Sequence, residues 1–271
     1  MIRVAGIERK MEFSPNHEYN DFLILNETAR ELRLLGAQVN IYKEEDIFDV
    51  EIKEDYIFSM VQSPEGTARL MEIAKNKKLI INTPESVINC YRYNLNRIMK
   101  KNDIPYPESI CISTDTGDFS FLHNFDKNIW IKRGDAHATC REDVIPAKNN
   151  SDIKKVLDDF KLRKLSVSSI QNHIEGNRVK FYSVSGSGLF YWYLVDNQSD
   201  FSIDADKLKK IAYKAAVSLG LEIYGGEAVI TENSEIFIID MNDWPSFAPI
   251  RDIASEKIAG LIYNKIRKLN L

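Results

Sequence analysis

The sequence predicts an α/β layer at the N-terminus followed by a larger α+β region. Over roughly the first 85 residues, short apolar runs alternate with amphipathic stretches, as in a parallel sheet covered by helices. Beyond Pro105 and Pro107 the order changes to runs of strands with helices between them. The bulk composition agrees: 271 residues, 44% apolar and 28% charged, describe a globular chain large enough for two or three subdomains.

Ile2 to Ile7 reads as a buried strand that runs into the polar loop ERKMEFSPNHEYN. An amphipathic helix follows from about Asp21 to Leu35, with Phe22, Leu25, Ala29, Leu32 and Leu35 at helical spacing and Gly36 as its stop. AQVNIY is the next strand. DYIFSM, PEGTARLMEIAKNKK and LIIN repeat the strand–helix–strand unit. No G-x-G-x-x-G follows the first strand, which argues against a dinucleotide site there.

Pro84 to Asn102 is helical in pattern, interrupted by NCYRYN and ended by IPYP, so the first domain boundary falls in this stretch. ESICIS and NIWIK are expected strands, and SDIKKVLDDFKLRKL is a helix capped by Ser151. SIQNHI, RVKFYSV and LFYWYLV are further strands, the last two joined at Gly186-Ser187-Gly188. The aromatic run Phe190 to Tyr193 suits sheet packing. A helix spans about Asp206 to Leu219, with Gly220 beyond it, then EIYGGEAVIT, EIFIIDMN and a last helix after Pro249. The expected division is 1–90, 91–170 and 171–271.

A net charge of −4 argues against nucleic acid as the main partner, because neutralising phosphates needs a basic face. No apolar run is long enough for a membrane span and none at the N-terminus resembles a signal peptide, so the cytoplasm is the expected location. Cys90, Cys111 and Cys140 form no CxxC pair and read as reduced thiols.

The most informative chemistry lies between Gly225 and Phe247. If Asn233-Ser234 is a two-residue hairpin loop, Glu232 faces Glu235, Val229 faces Ile238, and Glu227 faces Asp240. Alternation along the strand puts Asn242 on the face of Asp240. Opposed carboxylates repel unless a cation offsets them. An all-oxygen set without His or Cys suits a hard ion, Mg²⁺ before Zn²⁺. The competing reading is a longer or shifted turn, which would send Glu227 to the other face.

Together these segments resemble the ATP-grasp superfamily. LGLEIYGGEAVI followed by FIIDMNDWPSF, with Pro245 after the Asn, is similar to the family's metal-binding hairpin. NTPESVINCYRYNLNRIMKKNDIPYP resembles the entry to its nucleotide-binding half. NIWIKRGDAHAT resembles the strand and loop that carry a phosphate-contacting lysine, and SIQNHIEGNRVKFYSVSG the hinge behind adenine. The likeness is greatest to ribosomal-protein glutamate ligases and similar carboxylate–amine ligases, and the inositol trisphosphate kinases of this fold share the Asp-x-Asn form. It implies an ATP-grasp fold with an N-terminal α/β pre-grasp domain, ATP and Mg²⁺ as cofactors, and small-molecule carboxylate and amine substrates.

By this resemblance Glu227, Asp240 and Asn242 hold the metal. Arg92, Lys132 and His137 contact phosphate, and Gln171, Asn172, His173 and Ile174 frame adenine. Lys180 reaches the γ-phosphate or acceptor, and Arg251 binds a substrate carboxylate or transferred phosphate. Arg9 and Asn16, after the first strand, are further substrate contacts, since α/β sheets present ligands there. Departures from the family are Glu227 for Asp, Arg92 for Lys, Gln171 for Glu, and a loop after Lys132 with a single glycine. The implied reaction is amide formation through an acyl phosphate. A kinase acting on a hydroxyl and a nucleotide-binding module without turnover are the other readings, and oligomeric state is left open.

Overall fold

Four short strands begin the chain, three of them apolar almost throughout and the edge strand QVNIY alternating, and they pair in parallel under helices. They are β1 (Arg3–Ile7), β2 (Gln38–Tyr42), β3 (Tyr56–Ser59) and β4 (Leu79–Ile81), in the order β2-β1-β3-β4. The computed structural model describes residues 2–15, 17–125, 128–196 and 202–271. Between these strands run α1 (Glu18–Leu34), the single turn α2 (Asp46–Asp49) and α3 (Pro64–Ala74). Gly36 has φ +91°, the left-handed conformation expected after a helix end. Ser63 caps α3 by accepting from the Gly66 amide at 2.8 Å, with Pro64 beside it.

Helices α4 (Pro84–Cys90) and α5 (Arg92–Lys101) are separated by one extended residue, Tyr91, inside the polar interruption noted in the sequence. The middle sheet contains β5 (Ser109–Ser113), β6 (Ile129–Arg133), β7 (Val144–Ala147) and, after α6 (Asn150–Leu162), β8 (Val167–Asn172), in the antiparallel order β5-β8-β6-β7. Strand β7 was not expected: it is four residues long and contains Pro146, which only an edge strand tolerates. The cap of α6 is Asn149 rather than Ser151. The helix starts two residues earlier than its apolar pattern does, and the Asn149 side chain accepts from the Asp152 amide at 3.0 Å.

The third sheet, β9 (Asn177–Val184), β10 (Phe190–Asp196), β11 (Ile223–Ile230) and β12 (Ile236–Asp243), is antiparallel in the order β10-β9-β11-β12. Helix α7 (Ala205–Leu219) covers it, capped by Asp204 and ended by left-handed Gly220. Helix α8 (Arg251–Leu269) packs on α1 as well as on β9 of this sheet. Ala254, Ile258, Ile262 and Ile266 share one core with Val4, Ile24, Leu25 and Phe58.

The turn from β12 into α8 seals this joint. Trp244 and Phe247 are fully buried although their φ values are +35° and +49°. Such backbone costs about 1–3 kcal/mol per residue. Burying each ring is worth about as much, and Trp244 also stacks on Phe58 at 5.8 Å.

Candidate functional site

The hairpin of β11 and β12 is built differently from its expectation, yet presents the expected pair. Its loop is one residue longer: Thr231 pairs with Glu235 (N–H to O, 2.9 Å), and Ser234 takes φ +59°. Glu232 therefore does not face Glu235, and Val229 lies opposite Phe237 rather than Ile238. A bulge then adds Ile239 to β12, and from there the pairs are Glu227 with Asp240, Gly226 with Met241 and Gly225 with Asn242. Two one-residue departures cancel.

Glu227 has Lys180 as its neighbour on the other side, in β9. The Lys180 ammonium lies 3.3 Å from Glu227 Oε1 and Arg178 lies 3.5 Å from Oε2. Across the strand, Arg92 Nη2 donates to Asp240 Oδ2 at 3.0 Å. The repulsion between the opposed carboxylates is thus offset by three of the chain's own cations. Burial alone would raise the Asp240 pKa, but Arg92, then Lys132 and His137, outweigh it and hold the group below its ordinary value.

Lys132 is buried behind this pair. Its ammonium donates to Gln171 Oε1 (2.6 Å) and to the carbonyl of the bulge residue Ile239 (3.2 Å). Burial, aided by Arg92 and opposed by Asp240 and Glu227, lowers its pKa to about 8. Among the described residues, Gln171 Nε2 and Arg92 Nε are buried without a hydrogen bond.

A cleft of about 310 Å³ opens over the pair. Arg9, Arg92, His137, Lys180, Glu227, Asp240 and Asn242 line it, so seven of the candidate site residues named from the sequence meet there. Lys132 and Gln171 sit in the second tier beneath. The hinge residues diverge. Asn172 ends β8, its amide bonded to the Glu108 carbonyl, and Ile174 lies beyond the strand. His173 accepts from Trp130 Nε1 (2.9 Å), lies 3.1 Å from Glu175, and lines a separate cleft of about 250 Å³.

Arg251 does not line the main cleft: it starts α8 and donates to Asn20 on α1 at 2.6 Å. Arg9 does line it, but its guanidinium is engaged by Asp21 (2.8 Å) and the carbonyls of Met60 (3.0 Å) and Trp244 (2.9 Å). It ties the N-terminal layer to the end of β12. Asn16 lies outside the described residues.

Sequence reasoning missed several residues of the cleft wall: Gln62, Asp21, Asp243, Tyr182 and Tyr193. Gln62 follows β3 at the end where a parallel sheet presents ligands, a signal the sequence did carry. Asp243, next to Asn242, has no solvent exposure and accepts from Gln62 Nε2 at 2.7 Å. The tyrosines follow from β9 and β10 turning one face to the cleft, which needs the sheet order.

No family model matches the chain, and comparison with curated proteins gives no match. Solved structures do match over nearly the whole chain. The D-alanine–D-alanine ligase of Coxiella burnetii superposes with a TM-score of 0.75 at 11% identity, covering 100% of this chain and 97% of that one. The Bacillus anthracis D-alanine–D-alanine ligase complexed with ATP gives 0.75 at 12%, covering 100% and 99%. A RimK domain protein, ATP-grasp, from Sphaerobacter thermophilus gives 0.70 at 15%, covering 96% and 99%. At such identities the likeness speaks for architecture: this chain has the ATP-grasp fold. Two of these structures are D-alanine–D-alanine ligases, one of them solved with ATP.

Proposed function

We propose that the protein is a Mg-ATP-dependent carboxylate–amine ligase acting through an acyl phosphate. The observation that carries the reading is the convergence of Glu227, Asp240 and Asn242 on one wall of a cleft that also holds Arg92 and Lys180, with buried Lys132 beneath. Among the described residues no three His, Cys, Asp or Glu side chains gather into a cage. Two carboxylates and a carboxamide instead suit Mg²⁺, which commonly takes one or two carboxylates and completes its shell with water and substrate phosphates. Glu227, Asp240 and Asn242 would hold it, and bound there it would neutralise charge on the phosphates.

The chain's own groups do the rest by position. Arg92 and Lys180 are cations that can pass from their carboxylates to phosphate oxygens as phosphate enters. Lys132, fixed by Gln171 and Ile239, supplies a charge from below. A substrate carboxylate placed in line attacks the γ-phosphorus, ADP leaves, and an amine then displaces phosphate from the acyl carbon. No side-chain nucleophile is needed. Arg251, held on Asn20, is assigned to the joint between α8 and α1 rather than to chemistry. Among the described residues no helix is long and apolar enough to cross a membrane, and we place the enzyme in the cytoplasm with its ATP.

The test is hydroxylamine trapping. With Mg-ATP and a panel of carboxylic and amino acids, D-alanine included, the wild type should form a hydroxamate and release ADP. Asp240→Asn should lose at least ~10²-fold in rate, the scale of a group acting on developing charge, while its circular dichroism stays unchanged. ADP release with a phosphate ester and no hydroxamate would establish a kinase instead.

A further inference from the structure

We infer that His137, oriented by Asp243, is the base that takes the proton from the incoming ammonium in the amide-forming step; this rests on the ligase reading above. An amine acceptor at neutral pH is mostly protonated and has no lone pair to attack with, so a base must receive its proton. The cleft's carboxylates are poorly placed to do so. Glu227 is paired with Lys180 and Arg178, Asp240 with Arg92, and Asp21 with Arg9. His17, the other histidine on the cleft wall, is exposed and lies at its rim.

His137 is held differently. Its loop follows β6 and is packed down rather than glycine-rich: Ala136 is buried against Phe13, Val87 and Tyr91, and the Tyr91 ring meets the imidazole edge-on at 5.9 Å. Imidazole Nε2 lies 3.2 Å from Asp243 Oδ1, outside hydrogen-bond geometry. Among the described residues, Nε2 and Asp243 Oδ2 both find no hydrogen bond although buried. Asp243 has no solvent exposure, and the one hydrogen-bond donor to its carboxylate among the described residues is the neutral amide of Gln62. A buried carboxylate so placed is stabilised when the imidazole beside it becomes cationic. With Nε2 turned to Asp243, Nδ1 is the nitrogen left for a cleft ligand.

The position suits the step. His137 lines the same cleft as Asp240 and Asn242, where phosphate would leave, and Ala136 before it packs on Phe13. Among the described residues, the charged and titratable groups near the ring and its carboxylate are Asp243 and Asp240 on β12, Cys90 at the end of α4, Tyr91 after it, Arg92 on Asp240, and Arg9, whose guanidinium reaches the Asp243 carbonyl at 3.4 Å. The ammonium gives one proton to His137 Nδ1, and the freed lone pair bonds to the acyl carbon. The carbon–oxygen bond to phosphate breaks, phosphate leaves with that electron pair and takes the second nitrogen proton, and the imidazolium returns its proton to solvent.

The test uses two acceptors on the purified full chain: hydroxylamine, largely unprotonated at neutral pH, and an alkylamine, which is charged there. The readout is the ratio of amide to hydroxamate, in which any loss of nucleotide binding cancels. His137→Gln and His137→Ala should lower that ratio by about 10²-fold at neutral pH. The ratio should recover as pH rises and free amine appears, and added imidazole should restore it in His137→Ala. Asp243→Asn should also lower the ratio, since the imidazolium formed in the step loses the carboxylate beside it. An unchanged ratio in both His137 variants would overturn the inference while leaving the ligase reading intact. A wild type that forms no hydroxamate with any acid would remove both.

Discussion

At the scale of single residues, the site is a set of charges whose worth depends on burial. Lys132 has a folded-state pKa of about 8 against 10.5 for a free lysine. Between those values the unfolded chain holds the proton and the folded chain does not, so the burden of burying the charge is full below pH 8 and is relieved as pH rises toward 10.5. The unfolding free energy of the wild type, relative to Lys132→Met, should therefore increase by about 3 kcal/mol over that window. Urea titrations of both proteins at several pH values measure it, and a flat difference would show that Lys132 keeps its proton. The sequence identified this lysine through its apolar neighbours in NIWIK. Asp243 stayed hidden because a carboxylate's burial depends on what packs over it, here Gln62 and the loop of His137.

At the scale of elements, the β11–β12 hairpin shows why local rules reached the right pair by a wrong register. The turn residues Asn233 and Ser234 were legible, but loop length and bulge position respond to packing across the sheet. The extra residue Ile239 puts Asp240 opposite Glu227 and gives Lys132 a carbonyl to bind. Gly226 is what lets the strands close there. An added Cβ would stand 2.5 Å from the Asp240 carbonyl oxygen and 2.6 Å from the Phe181 ring. Gly226→Ala should destabilise the protein by about 1–3 kcal/mol through overpacking and weaken Mg-ATP binding. Gly260, in α8, has nothing within 4 Å of such an atom. Gly260→Ala should stabilise by about 0.5–1 kcal/mol from helix propensity. Thermal unfolding of the two variants gives the comparison, and equal effects would contradict this packing.

Across the whole molecule, the cleft is assembled from all three sheets, and one buried arginine joins two of them. Arg9 leaves β1, pairs with Asp21 on α1 and reaches the carbonyl of Trp244 beyond β12. Both partners of that pair are under 10% exposed. Removing one partner of a buried pair costs about 3–5 kcal/mol, because the other is left uncompensated. Arg9→Met should lose that much in chemical denaturation, and Arg9→Met/Asp21→Leu should regain part of it. A single variant as stable as wild type would show that the joint is held by α8 and α1 alone. The packing of α8 into the N-terminal core was not legible, since its amphipathic pattern names an apolar face without naming the partner.

By itself the sequence determined the succession of strands and helices, the parallel N-terminal layer, the helix stops at Gly36 and Gly220, and the residue types of the oxygen-rich patch proposed to hold a metal. These follow from periodicity, capping and ligand chemistry, all of which act over a few neighbouring residues. Only the tertiary structure decided which cations answer Glu227 and Asp240, that Arg9 is a brace, that Arg251 turns to Asn20, and that His137 leans on Asp243. Those outcomes depend on pairings between residues far apart in the chain, and a carboxylate's field or a side chain's burial exists only once its neighbours have been brought to it.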